Sequence, residues 1–339
     1  MTVLSRALTI TGDEMSRGTA KVFGVDRRRA AYVVLAYHQV VEGGDGLEHA
    51  VSAERFRAQL AFMREHGEIV SVADLLERRQ RVQRPGHWTF AVTFDDGYSS
   101  LARVAHPILL AAGIPATVFL TTGFIDDRAV HPWWDRLRRF VASARGSARW
   151  HGNDYPLGTA QQKLKFFKHV SRTIVHDCRR LTELDSLLAN AIGDDVELSN
   201  EFLDWDTVRA LQHDGLFTFA PHTVSHPVLR SCSNAAYEIG HSRQRVLEEL
   251  GVASEMFAYP YGRPEHFSAQ VQSELRAQGL KIAFTTVFGH VRHDAAPLSL
   301  PRVNIGRNDT LANFAAKIRY PMLFEWGFKW REFKYRAPN

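Results

Sequence analysis

The stretch Trp88–Gly97, WTFAVTFDDG, passes from an apolar, β-branched segment straight into two adjacent carboxylates and a glycine. Its apolar part suits a strand buried on both faces, the pattern of parallel sheets covered by helices. Asp95 and Asp96 stand where that strand ends, and Gly97 lets the backbone bend sharply behind them. Asp-Asp-Gly is also a common turn, so the tripeptide alone does not separate a reactive pair from a surface bend.

Outward from this stretch the same design repeats. Ala31–Tyr37 (AYVVLAY) is a second buried strand, ending at His38, and Phe56, Leu60 and Met63 recur at helical spacing behind the N-cap residue Ser52. A helix over 101–112 and a strand over 116–120 follow. Later come a strand at 216–220, a helix at 234–250, a strand at 256–258, a helix at 268–278 and a strand at 281–285. Strands alternating with helices predict parallel pairing, and in such barrels reactive groups gather at the carboxyl ends of the strands. His38, Asp95-Asp96, His222 and Tyr259-Pro260-Tyr261 all fall at such ends, which places them on one rim.

The rhythm breaks between Leu120 and Leu216, far more than the roughly 30 residues a βαβ unit needs. An insertion over about 126–203 fits. It contains His131-Pro-Trp-Trp-Asp, a basic and apolar run at 164–180 and an acidic one at 181–201, and reads as a helical subdomain. A helix over 205–213 returns the chain to the barrel. Residues 1–30 carry mixed charge without apolar periodicity and read as a loose arm; 31–310 form the barrel, and 311–339 an aromatic and basic end.

Composition excludes several classes. With 339 residues, 45% hydrophobic and 23% charged, the chain is neither disordered, collagen-like nor coiled coil. The net charge of +5 is spread along the chain, so no nucleic-acid partner is expected. The two cysteines, Cys178 and Cys232, cannot form a thiolate zinc site, and any metal must use His and carboxylate, for which 16 histidines are available. No stretch has the run of about 20 apolar residues a spanning helix needs. Arg6, Asp13 and Glu14 interrupt the region where a signal peptide is apolar, so the expectation is an unexported, cytoplasmic protein.

His222-Thr-Val-Ser-His226 sets two imidazoles four residues apart, which on one helical turn aligns them toward a point. Two such histidines are also compatible with a plain surface. Joined by one carboxylate, they make a facial ligand set with positions left open for water and substrate.

With these motifs assembled, the chain resembles the polysaccharide deacetylases of the NodB-homology type: YHQV at 37–40, TFDDG at 93–97, HTVSH at 222–226 followed by Pro227, YPYG at 259–262 and LPR at 300–302, in the family's order. The resemblance implies an α/β fold, a distorted parallel (β/α) TIM-like barrel, here with a helical insertion. It also implies metal-dependent removal of an N-acetyl group from an amino-sugar glycan, with Zn2+ the usual divalent metal. Carried over by position, Asp96, His222 and His226 match the metal ligands, Asp95 the general base, and Tyr261 the residue whose main-chain N–H helps hold the oxyanion. Tyr259 and the Tyr261 ring are expected to line the sugar groove.

The departures are informative. Many relatives carry an arginine two residues before the motif's proline to hold the catalytic Asp; this chain has Ala258 there, and Arg302 is the candidate replacement. The late leucine-histidine motif is not recognisable after Thr285. His38 is the better placed general acid, as in family members with a YHxV opening, with His290 and His293 as rivals and a purely structural histidine as the plain alternative. Trp133 and Trp134 serve either to stack on sugar rings or to fill the insert's core. The run 320–336, aromatic and basic, serves either at a membrane surface, which would be the inner face, or as packing against the barrel. Rival functions are hydrolysis of another amide, such as a formamido sugar, and a non-catalytic carbohydrate-binding barrel.

Overall fold

A computed structural model describes residues 31–43, 49–81, 88–127, 130–189 and 201–327. The expected arm at 1–30 and the chain end at 328–339 lie outside the described residues.

The strands are β1 (Ala31–Tyr37), β2 (Gln39–Val41), β3 (Ala50–Ser52), β4 (Gly67–Ile69), β5 (Trp88–Phe94), β6 (Ala116–Leu120), β7 (Ser147–Trp150), β8 (Asn153–Pro156), β9 (Phe217–Pro221), β10 (Met256–Ala258), β11 (Ile282–Phe284) and β12 (Val303–Asn304). The principal sheet runs β12-β1-β5-β6-β9, with β4 joined to the start of β5, and every pairing in it is parallel. A separate parallel ladder, β10-β11, continues the curve through the Phe284–Leu300 bridge, and the chain then runs on into β12. Among the described residues no ladder joins β9 to β10. The architecture is a distorted (β/α) barrel interrupted at that point.

Local sequence accounts for the elements. β1 is buried along its whole length, its side chains meeting the barrel interior on one face and covering helices on the other. Truncating a core ring such as Phe90 or Phe94 to alanine costs about 3–5 kcal/mol, the usual range for buried aromatics. The helix Ala53–His66 starts where Ser52 accepts a bond from the Arg55 N–H at 3.3 Å, as its capping sequence predicts. The returning helix Trp205–His213 is capped by Asp204, which accepts from Thr207 N–H at 2.7 Å.

The insertion has its own core, built from Leu137, Phe140, Trp150, Phe166, Val170 and Leu184 among others. Its helices Trp133–Ser143, Ala160–His176 and Leu181–Ala189 agree with the helical expectation, but it also holds the hairpin β7-β8. That hairpin turns at His151-Gly152, both left-handed, and its inward residues Ala148 and Trp150 alternate with exposed Ser147 and Arg149. Four residues of alternation were too short to stand out from the surrounding helical pattern.

Candidate metal centre and active site

The carboxyl ends of β1, β5, β9 and β10 bring His38, Asp95, Asp96, His222 and the Tyr259–Gly262 loop to one rim. Asp96 Oδ1 lies 3.6 Å from His222 Nε2 and 3.4 Å from His226 Nε2. Donors about 2.0–2.2 Å from a tetrahedral zinc stand roughly 3.3–3.5 Å apart, so the spacing matches a shared cation. Asp96 Oδ1 is buried and has no hydrogen-bond partner among the described residues. His222 donates its Nδ1–H to the Ala258 carbonyl at 2.7 Å, which fixes the tautomer and leaves Nε2 as a lone-pair donor aimed at the same point. Burial pushes both imidazoles below the usual histidine range, keeping them neutral as a ligand must be. Burial and then the charges of Asp95 and Asp135 push Asp96 up, which a divalent cation would oppose.

Asp95 is arranged for the opposite outcome. Burial alone would raise its pKa, but the Arg302 guanidinium and His222 outweigh that and hold it well below the usual carboxylate range. Arg302, fully buried, donates Nη1–H to Asp95 Oδ1 and Nη2–H to Oδ2, both at 2.7 Å, and is itself fixed by the Thr285 carbonyl and Thr93 Oγ1. So Arg302, anticipated as the substitute for the arginine missing at Ala258, does grip Asp95.

Two sequence expectations about geometry need correction. His222 and His226 are not on a helical turn; the segment is a bent loop in which Thr223 and His226 adopt left-handed backbone, with φ of 72° and 59°. The His226 N–H bonds Thr223 Oγ1 at 3.0 Å, and the loop is tied down by Glu238, whose carboxylate accepts from Val224 N–H, Ser225 N–H and Ser225 O–H at 2.7–2.9 Å. Asp96 and Tyr261 are left-handed as well, so four of the five such non-glycine residues among those described sit at this site. Each costs on the order of 1–3 kcal/mol that the surrounding structure must offset. Gly123 is required for a related reason: a Cβ there would lie 2.6 Å from the Val224 carbonyl, which receives the Gly123 N–H.

Tyr259 is the second correction. Expected in the sugar groove, it is 1% exposed, stacks on Phe267 at 4.1 Å and donates its hydroxyl to the Leu298 carbonyl at 2.9 Å; it is a core residue. Tyr261 lies at the site, its ring 4.7 Å from that of His226. Trp133 and Trp134, half-buried, reach the site too. The Trp133 indole N–H bonds Tyr261 Oη at 3.0 Å, the Trp134 indole N–H bonds Tyr98 Oη at 3.1 Å, and the Trp134 ring meets His226 edge-on at 4.8 Å.

His38 is at the rim, half-buried, with Nδ1 shielded and unpartnered among the described residues and its ring stacked on His49 at 4.9 Å. Desolvation, followed by His49, pushes its pKa down to about 3, so the resting imidazole is neutral. His290 sits at the far end of the barrel, its ring against Trp88 at the start of β5 and its Nε2 on the Ile318 carbonyl at 2.7 Å. With about 3.3 Å per residue along a parallel strand, that is roughly 20 Å from Asp95. His293 is exposed in a turn.

A parallel barrel carrying an Asp-His-His ligand set, with a second carboxylate clamped by arginine beside it, is the arrangement of a metal-assisted hydrolase. Residues 83–283 match the family model for polysaccharide deacetylase, and the chain belongs to that family. The poly-beta-1,6-N-acetyl-D-glucosamine N-deacetylase of Escherichia coli strain K12 is 24% identical over 319 aligned residues, covering 85% of this chain but only 38% of that protein. Among solved structures, the Streptococcus pyogenes deacetylase PplD, in complex with acetate, aligns with a TM-score of 0.57 and 19% identity over 85% of this chain and 97% of that one. IcaB from Ammonifex degensii aligns with a TM-score of 0.55 and 21% identity over 86% and 98%. His38 and Arg302 lie outside the span matched by the family model.

Glu238 and Thr223 were not singled out from the sequence. Glu238 looks there like any acid in the first turn of a helix, and nothing local betrays that it accepts from a loop fourteen residues upstream.

Proposed function

We propose that the chain hydrolyses the N-acetyl amide of an amino-sugar polysaccharide, oligosaccharide or lipid-linked glycan precursor, using a divalent cation, zinc by preference, held by Asp96, His222 and His226. The observation that carries this reading is the pairing of an orphaned ligand set with an ionised, arginine-held Asp95 on the same rim. The cation would supply a water of pKa near about 7 and polarise the amide carbonyl. Asp95, kept unprotonated by Arg302, accepts the proton of the attacking water. The Tyr261 main-chain N–H faces the developing oxyanion. His38, neutral at rest, takes up one proton from solvent as negative charge builds on the amide and passes it to the departing amine, and Asp95 returns the proton of the attacking water to solvent when the products leave. Trp133 and Trp134 wall the sugar's approach and hold Tyr261 and Tyr98 through their indole N–H groups.

Protein loaded with zinc and offered a panel of N-acylated sugars and oligosaccharides is expected to release acetate. Formate release would move the reading to a formamido sugar, and metal binding without any acid released would leave a glycan-binding barrel.

We also propose that the chain end meets an anionic lipid surface. On the helix over 321–327, Met322 and Trp326 are 60% and 66% exposed one turn apart, and the sequence beyond it adds Lys329, Arg331, Lys334 and Arg336. Such a contact fits a cytoplasmic protein working at the inner membrane face. The double substitution Met322→Ser/Trp326→Ser is expected to weaken co-sedimentation with phosphatidylglycerol vesicles; a wild-type protein that ignores those vesicles would overturn the idea.

A further inference from the structure

The other face of the 321–327 helix points inward, and there Glu325, 2% exposed, meets Arg263, 7% exposed. The pair is bidentate: Arg263 Nη1 donates to Glu325 Oε2 at 2.8 Å and Nη2 to Oε1 at 2.7 Å, across a sequence separation of 62. Glu325 Oε2 also accepts the Phe288 N–H at 3.1 Å. One carboxylate thereby ties together the loop after β10 and the loop after β11, at the rim that carries the active site.

Arg263 is two residues from Tyr261, and the segment between them has little room to adjust. Tyr261 is left-handed at φ 59°, and a Cβ on Gly262 would come within 2.6 Å of Thr286 N. Thr286 binds both neighbours, its hydroxyl donating to the Tyr261 carbonyl at 2.6 Å and its N–H to the Gly262 carbonyl at 2.9 Å. The Trp133 indole N–H holds the Tyr261 ring from the insert side. The downstream end of the loop is anchored by Arg263, and an arginine buried in this way stays inward while its carboxylate is present.

We propose that Glu325 is a positioning residue: through Arg263 it sets the Tyr261 main-chain N–H, making the C-terminal helix part of the catalytic apparatus although it lies beyond the span matched by the family model. The consequence for rate rests on the proposed deacetylase reading; the consequence for loop order does not. Donors to an oxyanion are worth about 10²–10³ in kcat when removed outright, so a displaced one should cost on the order of tenfold.

The test uses full-length protein loaded with zinc. Glu325→Gln is expected to speed hydrogen–deuterium exchange in the peptide covering 259–263, leave that covering 222–226 unchanged, retain the metal, and lower kcat about tenfold with KM little altered. Arg263→Lys, which keeps the charge but not the fork, should do the same, and Glu325→Asp should recover part of the loss. Leu311→Ala, at an exposed position of the neighbouring helix Leu311–Arg319, is the control and should leave both readouts unchanged. Unchanged exchange at 259–263 in both Glu325→Gln and Arg263→Lys overturns the latch whatever the reaction proves to be. Faster exchange with normal kcat, or a lowered melting temperature alone, reduces the pair to a structural role and overturns the proposal. A wild-type protein that releases no acid from any substrate defeats the deacetylase reading and leaves the exchange arm to judge the latch.

Discussion

Adjacent in sequence, Asp95 and Asp96 are driven in opposite directions by their surroundings: Arg302 keeps the first ionised, whereas burial and its acidic neighbours leave the second dependent on a cation. They should therefore fail differently. Asp96→Ala or His222→Ala is expected to lose metal and turnover together. Asp95→Asn should keep its metal, measured by elemental analysis, while kcat falls by about 10² or more, the usual scale for a general base. Metal loss in Asp95→Asn would reverse the assignment. His38→Ala should likewise retain metal and fold and lose about 10² or more in kcat. Because desolvation holds the resting His38 at about 3, no histidine titration near neutrality should appear in the acid limb of kcat/KM, and a limb there that vanishes in His38→Ala would contradict this. Residue types at this site were legible because the chemistry demands them in short motifs. Tyr259 was misread because a tyrosine in YPYG carries no mark of which way its ring turns.

At the scale of elements, the HTVSH loop shows what a motif hides. The spacing of two histidines suggested a helical turn, whereas the convergence is achieved by left-handed Thr223 and His226 under the three hydrogen bonds accepted by Glu238. Groups that orient ligands typically contribute 10–100-fold in metal affinity. Glu238→Ala is expected to weaken zinc binding by about that factor, read by competition with a chelator, with Asp95 and Arg302 undisturbed. Unaltered affinity would leave Glu238 as loop packing alone. The strands and helices that bracket this loop were readable from periodicity and capping, because burial against a barrel imposes a regular pattern on them.

Across the whole molecule, what escaped the sequence is what joins distant parts. Glu325 to Arg263 is a buried pair linking residues 62 positions apart, and an ion pair of that kind leaves no local period; Arg302 to Asp95 was legible only because a motif's arginine is missing at Ala258. The junction of insert and barrel is another such place. Asp135, 1% exposed, is pushed up to about 7 by burial and then by Glu201, opposed by Arg138 and Arg139. The folded state thus keeps a proton that the unfolded chain releases above about 3.9. The associated stability is full below that value and is lost as pH rises through about 7. The melting temperature should fall between about pH 4 and 7, and Asp135→Asn should flatten that fall. A melting temperature independent of pH over this window in the wild-type protein would contradict the assignment.

Both ends of the insertion are sewn into the loop that follows the two aspartates: Leu203 N–H bonds the Gly97 carbonyl at 2.9 Å, Ser99 N–H bonds the Glu201 carbonyl at 2.8 Å, and Trp134 enters beside Tyr98. The insertion is therefore not a cassette. Grafting it onto another barrel, or excising it with a short linker, would leave Gly97 and Ser99 without their backbone partners one to three residues from Asp96. Changes confined to the helices and hairpin beyond those seams leave these bonds intact, whereas changes at Trp134 or Glu201–Leu203 reach the loop that carries Asp96.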